Sequence, residues 1–129
     1  EVVRRHLQEL PAEERGWLAG LRDPLVGRAL GALHRQPAFA WTLESLSREV
    51  GLSRSTLAER FTHLVGQPPM QYLTRWRMQL AARRLSEGAP KVLAVAGEVG
   101  YDSEAAFSRA FKKAVGMPPA AWRRRRALG

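Results

Sequence analysis

The side chains best equipped for chemistry in this chain are its arginines and lysines, and most of them crowd into one part of it. Residues 43–129 hold fifteen basic and seven acidic side chains, a net +8, while residues 1–42 hold six and five, a net +1. From Arg109 to the end there are seven basic residues and no acid. A planar guanidinium can donate to two acceptors at once, so it grips a phosphate or one guanine edge, whereas a lysine acts as a point charge. A surplus of this size points to a polyanionic partner, with nucleic acid, an acidic membrane surface and an acidic protein as the classes to separate. Other chemistries lack their residues. There is no cysteine, hence no disulfide, thiol nucleophile or thiolate zinc site, and His6, His34 and His63 stand far apart. No glycine-rich phosphate loop, metal-ligand spacing or Ser–His–acid set stands out, so no enzyme activity, cofactor or metal is expected. No apolar run reaches the ~20 residues that span a bilayer and no signal peptide opens the chain, so no membrane partner is expected. The absence of cysteine fits a reducing cytoplasm.

The elements that must position these cations are helical. Apolar residues recur at helical spacing throughout, and no segment alternates as a strand would. The front reads as short helices around Val2–Leu10, Glu13–Leu21 and Pro24–His34. Asp23 is placed as an N-cap, with Pro24 at the first helical position where a missing N–H costs nothing. Beyond a connector at Pro37–Trp41 come helices over 43–50 and 54–65, a long helix from Pro69 to Glu87, helices over 91–98 and 103–115, and a terminal helix from Pro119. Gly88 and Pro90 stop the long helix. The expected class is all-α.

Self-comparison exposes a repeat. Leu43, Leu46, Ser47, Val50, Gly51 and Leu52 recur 49 residues later as Val92, Val95, Ala96, Val99, Gly100 and Tyr101. After the turn the offset becomes 50, and Leu57, Phe61, Val65, Gly66, Pro68, Pro69 and Tyr72 recur as Phe107, Phe111, Val115, Gly116, Pro118, Pro119 and Trp122. One extra residue within Asp102–Ala106 accounts for the slip. Each copy has a small residue four positions before a glycine, Ser47 before Gly51 and Ala96 before Gly100. Two helices joined by a 3–4 residue turn approach too closely there for a large side chain, and the glycine supplies the positive φ of the turn. Leu52 and Tyr101 then plug the core, and Ser53 and either Asp102 or Ser103 can cap the second helix. This is a helix-turn-helix, present twice and joined by the long helix.

The residues themselves resemble a known family. The run Gly51-Leu52-Ser53-Arg54-Ser55-Thr56-Leu57-Ala58-Glu59-Arg60-Phe61, followed by Gly66-Gln67-Pro68-Pro69-Met70-Gln71-Tyr72-Leu73, is similar to the first half of the AraC/XylS DNA-binding domain. Glu98–Lys113, with Gly116 and Pro118-Pro119, resembles that family's C-terminal signature. Residues 1–37, notably Gly16-Trp17-Leu18 and Asp23–Leu30, resemble the segment that links an upstream cupin-type sensor domain to this module in one branch. The implied organisation is a helical linker over residues 1–37 and a double helix-turn-helix domain over residues 38–129. Opening on Glu1 rather than Met, the chain is read as a piece of a longer polypeptide. The resemblance implies a bacterial, cytoplasmic, sequence-specific transcription regulator that binds double-stranded DNA through two recognition helices in consecutive major grooves. RNA polymerase is a further partner under this reading, and a small-molecule effector would act only through the absent sensor domain.

The second helix of such a unit lies in the major groove. Opposite Leu57 and Phe61 the outward positions are Arg54, Ser55, Ala58, Glu59 and Thr62, and the resemblance makes Ser55, Ala58 and Glu59 base-reading. Ala58 can touch a thymine methyl and Glu59 can accept from a cytosine amine, or Glu59 can pair with Arg60 or His63. Opposite Phe107 and Phe111 the resemblance puts Glu104, Ala105, Ser108 and Arg109 in the groove. Arg109 can take guanine bidentately, bind a phosphate, or bridge to Glu104 or Asp102. Lys112, Lys113, Arg54, Arg60, Arg75 and Arg77 read as phosphate contacts or as solvated surface, as do Arg123–Arg126. Trp76 and Trp122 read as core, Trp41 as a seat for the connector, and the histidines as surface or capping groups. The core placement of the aromatics leaves no open stacking platform for RNA. A helical adaptor remains the rival for residues 1–36; it would lack salt-dependent duplex binding.

Overall fold

The computed structural model describes residues 12–88 and 91–128, and among them every regular element is an α-helix. In chain order these are α1 (Ala12–Arg22), α2 (Pro24–Arg35), α3 (Leu43–Val50), α4 (Arg54–Val65), α5 (Pro69–Ser86), α6 (Val92–Glu98), α7 (Glu104–Val115) and α8 (Pro119–Leu128). Their ends fall within a residue of those expected from the sequence. The helix expected at Val2–Leu10 lies outside the described residues.

The chain divides into two compact units. One joins the residues up to Gln36 to Trp41–Leu73; the other joins Pro37–Ala40 to the chain from Thr74 onward. The described part of the segment read as a linker, residues 12–36, therefore packs with the first repeat copy. Asp23 alone separates α1 from α2. Its N–H donates to Ala19 O at 2.8 Å, and its carboxylate accepts from Leu25 N and Val26 N at 3.2 and 3.3 Å, which caps α2 as expected. A Cβ at Gly27 would stand 2.6 Å from Gly20 Cα, so only glycine lets the two backbones touch here. The core beneath this hairpin is made of Leu30, Leu33, Leu46, Leu57, Phe61 and Tyr72, all essentially solvent-free. Trp41 Nε1 donates to Gln36 O at 2.9 Å and ties the end of α2 to the approach to α3.

The second unit repeats the plan around Met78, Leu85, Val95, Val99, Phe107 and Phe111. Trp122 sets its edge toward Phe111, with centroids 6.3 Å apart, just as Tyr72 meets Phe61 at 5.8 Å in the first unit. The Trp122 ring N–H donates to Ala82 O at 3.1 Å, so the aromatic is both packed and satisfied. The turn geometry matches the sequence reading: Gly51 and Gly100 have φ of 77° and 96°, with Ser47 and Ala96 buried before them. Ser53 accepts from Thr56 N and Ser103 from Ala106 N, which fixes Asp102 as the extra residue of the second turn.

Candidate nucleic-acid interface

Each unit presents one helix whose inner face is wholly buried and whose outer face meets solvent. On α4, Leu57 and Phe61 are sealed in the core, while Arg54, Ser55 and Glu59 are exposed and Ala58 and Thr62 are half-buried at the edges of the same face. On α7, Phe107 and Phe111 are sealed, with Glu104, Ala105, Arg109, Lys112 and Lys113 exposed and Ser108 half-buried. The helical period sets these choices, because residues three and four apart share a face. Within each unit the structure thus gathers the base-reading candidates onto one surface. Both helices end in a left-handed glycine, Gly66 and Gly116.

The electrostatics separate two kinds of cation. The side chains of Arg54, Arg75, Arg109, Lys112 and Lys113 make no hydrogen bond or ion pair among the described residues. Glu59 and Glu104 make none either, so neither the Glu59 pairs with Arg60 or His63 nor the Arg109 bridges to Glu104 or Asp102 are formed. Arg60 and Arg77 differ. Arg60 donates from Nε and Nη2 to the two carboxylate oxygens of Asp23, at 2.8 and 2.7 Å. The hydrogen bonds from Arg60, with its charge, hold the Asp23 carboxyl below its usual pKa despite partial burial. Arg77 donates to Pro37 O at 2.8 Å and Phe39 O at 2.9 Å, and its guanidinium lies over the Tyr101 ring at 5.9 Å. Its guanidinium is committed to the connector, and burial lowers its pKa from the ordinary arginine value. In sequence both side chains read as phosphate contacts or solvated surface; in the structure each gives two of its five N–H donors to protein acceptors.

One histidine departs from the surface role expected of it. His34 Nε2 lies 2.6 Å from the Tyr72 hydroxyl, and Arg15 Nη1 donates to that same oxygen at 2.8 Å. Arg15 is buried, and its guanidinium also faces the Tyr72 ring at 5.7 Å. Desolvation, reinforced by the charges of Arg15 and Arg35, lowers the His34 pKa to about 4. His34 is therefore neutral near neutral pH, and with Arg15 donating to the Tyr72 oxygen, the Tyr72 hydroxyl donates to His34 Nε2. No spacing rule brings residues 15, 34 and 72 together; only the packed hairpin does.

Residues 46–125 match the family described as a helix-turn-helix domain. A candidate AraC-like transcription regulator of Streptomyces lividans is 53% identical over 123 residues, which is 95% of this chain and 40% of the relative. The HTH-type transcriptional regulator AlkR of Acinetobacter baylyi is 37% identical over the same shares. The solved DNA-binding domain of AdpA, a global transcriptional factor in complex with a target DNA, superposes with a TM-score of 0.74 at 30% identity. It covers 81% of this chain and 97% of that domain. The chain spans about 40% of the length of these two curated relatives.

Proposed function

The chain belongs to the AraC-type helix-turn-helix family, and from that premise we propose that it is the DNA-reading part of a cytoplasmic bacterial transcription regulator. Its partner is double-stranded DNA, with α4 and α7 entering consecutive major grooves. The family is one of regulators rather than enzymes. The observation that carries the reading is the repetition, in each unit, of a capped helix with a sealed inner face and unpartnered polar groups outside. Ser55, Ala58 and Glu59 read bases in the first half-site, and Glu104, Ala105, Ser108 and Arg109 in the second. Arg54, Arg75, Lys112 and Lys113 anchor to phosphates, while Arg60 and Arg77 serve the fold. Residues 38–129 carry the reading module; residues 12–36 brace its first unit and lead toward a sensor domain that would take any small effector. RNA polymerase is the further partner such a regulator would need to activate.

The 18 residues of α5 belong in part to each unit, so one chain carries both recognition helices. Successive major grooves on one face of a duplex lie some 34 Å apart. One chain could then read two grooves without dimer symmetry. Footprinting on a duplex selected from random DNA tests this: protection across two consecutive turns is expected, with no inducer added and with steep salt dependence. Protection confined to one turn, or binding indifferent to salt, would refute it.

A further inference from the structure

Asp23 holds three helices at one point. Its N–H closes α1 on Ala19 O, its carboxylate caps α2, and its two oxygens take the guanidinium fork of Arg60 on α4. This pair differs from an ordinary surface bridge such as Glu44–Arg48, whose side chains are 58% and 70% exposed. The Asp23 side chain is 16% exposed and Arg60 40%, and the backbone bonds of the α2 cap hold the Asp23 carboxylate independently of Arg60. The α1–α2 hairpin that carries it is stiff, because its backbones touch at Gly20 and Gly27. On α4, Arg60 directly follows Glu59, and Phe61 after it is sealed in the core. Glu59, Arg60, Asp23, Arg22 and His63 line one open cleft of about 480 Å³. A helix held on one side only by apolar packing can roll; a bidentate fork at its flank fixes the roll, since both N–H···O bonds need one orientation.

We propose that the Asp23–Arg60 pair is a positioning device for sequence reading: it sets the rotation of α4, and with it the aim of Glu59, Ala58 and Ser55 at the first half-site. The pair also keeps Arg60 away from phosphates. The N-terminal hairpin is thereby part of the specificity apparatus of the first unit rather than only a tether. The inference rests on the DNA-reading function proposed above.

Two variants test it in the full 129-residue chain. Asp23→Ser keeps a good N-cap for α2 but cannot reach Arg60, and Arg60→Met keeps the aliphatic stem but no fork. Each is titrated with the selected duplex, with duplexes scrambled in the first or the second half-site, and over a range of salt. Both variants should lose about three- to tenfold of the discrimination between intact and scrambled first half-site, and none at the second. The double variant should lose no more than either single one, since both break one pair. Asp23→Ser should bind scrambled DNA more tightly, with a salt slope steeper by about one as Arg60 is released, whereas Arg60→Met should leave that slope unchanged. Undiminished discrimination at the first half-site in both variants would overturn the proposal. So would a slope reduced by about one in Arg60→Met, which would make Arg60 a phosphate contact. Unaltered far-UV dichroism shows that the helices persist; a variant whose losses fall equally on both half-sites has lost more than the aim of α4, and that too counts against the proposal. A wild-type chain without half-site preference would overturn the DNA-reading function itself, and this inference with it.

Discussion

Acid should loosen the first unit through His34. With the folded pKa near 4 against an ordinary 6.5, the folded state resists a proton that the unfolded chain takes up readily. The stabilisation is therefore fully present above about pH 6.5 and is lost as pH falls toward about 4, because the unfolded state binds more protons across that window. The full shift corresponds to about 3 kcal/mol at 1.36 kcal/mol per pKa unit, an upper figure because the ring is not fully desolvated. Between about pH 7 and about pH 5 the loss should be some 1.5–2 kcal/mol. The structural cause is specific. Protonation would oblige Nε2 to donate toward a Tyr72 hydroxyl that already accepts from Arg15, and would set a third positive charge beside Arg15 and Arg35. Urea unfolding at a series of pH values reads the effect directly. His34→Gln offers Tyr72 an amide oxygen that does not titrate, so its stability should be almost flat across the same window, though its absolute value is lower. A wild-type curve as flat as that of His34→Gln would refute the reasoning, as would a wild-type protein that gains stability on acidification. Above about pH 5 the two lowered carboxylates add little, since Asp23 starts from 3.8 and Glu98 from 4.5 and both are shifted downward, so their losses come mainly at lower pH.

Arg109→Ala should cost ~1–3 kcal/mol on the preferred duplex and relax preference at one base position, measured by competition titration. Lys112→Ala, and Arg54→Ala with it, should instead weaken all duplexes alike and reduce the salt slope by about one each. The reading face of α4 is short and acidic while that of α7 carries an arginine, so scrambling the second half-site should cost more than scrambling the first. Glycine substitutions should split in sign. Gly100→Ala meets a φ of 96° and the Ala38 backbone at 3.1 Å and should lose about 1–3 kcal/mol, whereas Gly97→Ala, with nothing within 4 Å, should gain about 0.5–1 kcal/mol by chemical denaturation.

What the sequence made legible was set by near neighbours. The Asp23–Pro24 cap, the Ser47–Gly51 and Ala96–Gly100 turns and the apolar spacing of Leu57 with Phe61 act within one or two helical turns, so residue order alone reveals them. The repeat added a second witness for each, and Trp122 could be read as core because Tyr72 was. Polar pairing followed no such rule. Arg60 finds Asp23 at a separation of 37 residues, Arg77 finds the carbonyls of Pro37 and Phe39 at 40 and 38, and Arg15 finds Tyr72 at 57. A cation has many acids and carbonyls to choose from along a 129-residue chain, and only tertiary packing selects one.

This inverts how the interface has to be recognised. Charge counting finds a basic module, yet it credits Arg60 and Arg77 equally with Arg109 and Lys112. The fold sorts them by what each donor already holds: two give a pair of N–H groups to Asp23 or to connector carbonyls, while the side chains of Arg54, Arg75, Arg109, Lys112 and Lys113 keep all their donors for an acceptor the described residues do not supply. An arginine fork with five donors and no protein acceptor is satisfied only by water or by a ligand of phosphate or base-edge geometry. On α7 three such cations share the solvent face of one helix whose other side is locked by Phe107 and Phe111, so the helix sets where each side chain starts while the long stems keep their rotamer freedom. Among these cations discrimination falls to Arg109, whose planar fork can meet one guanine edge, while the two lysines, as point charges, gain as much from any duplex as from the right one.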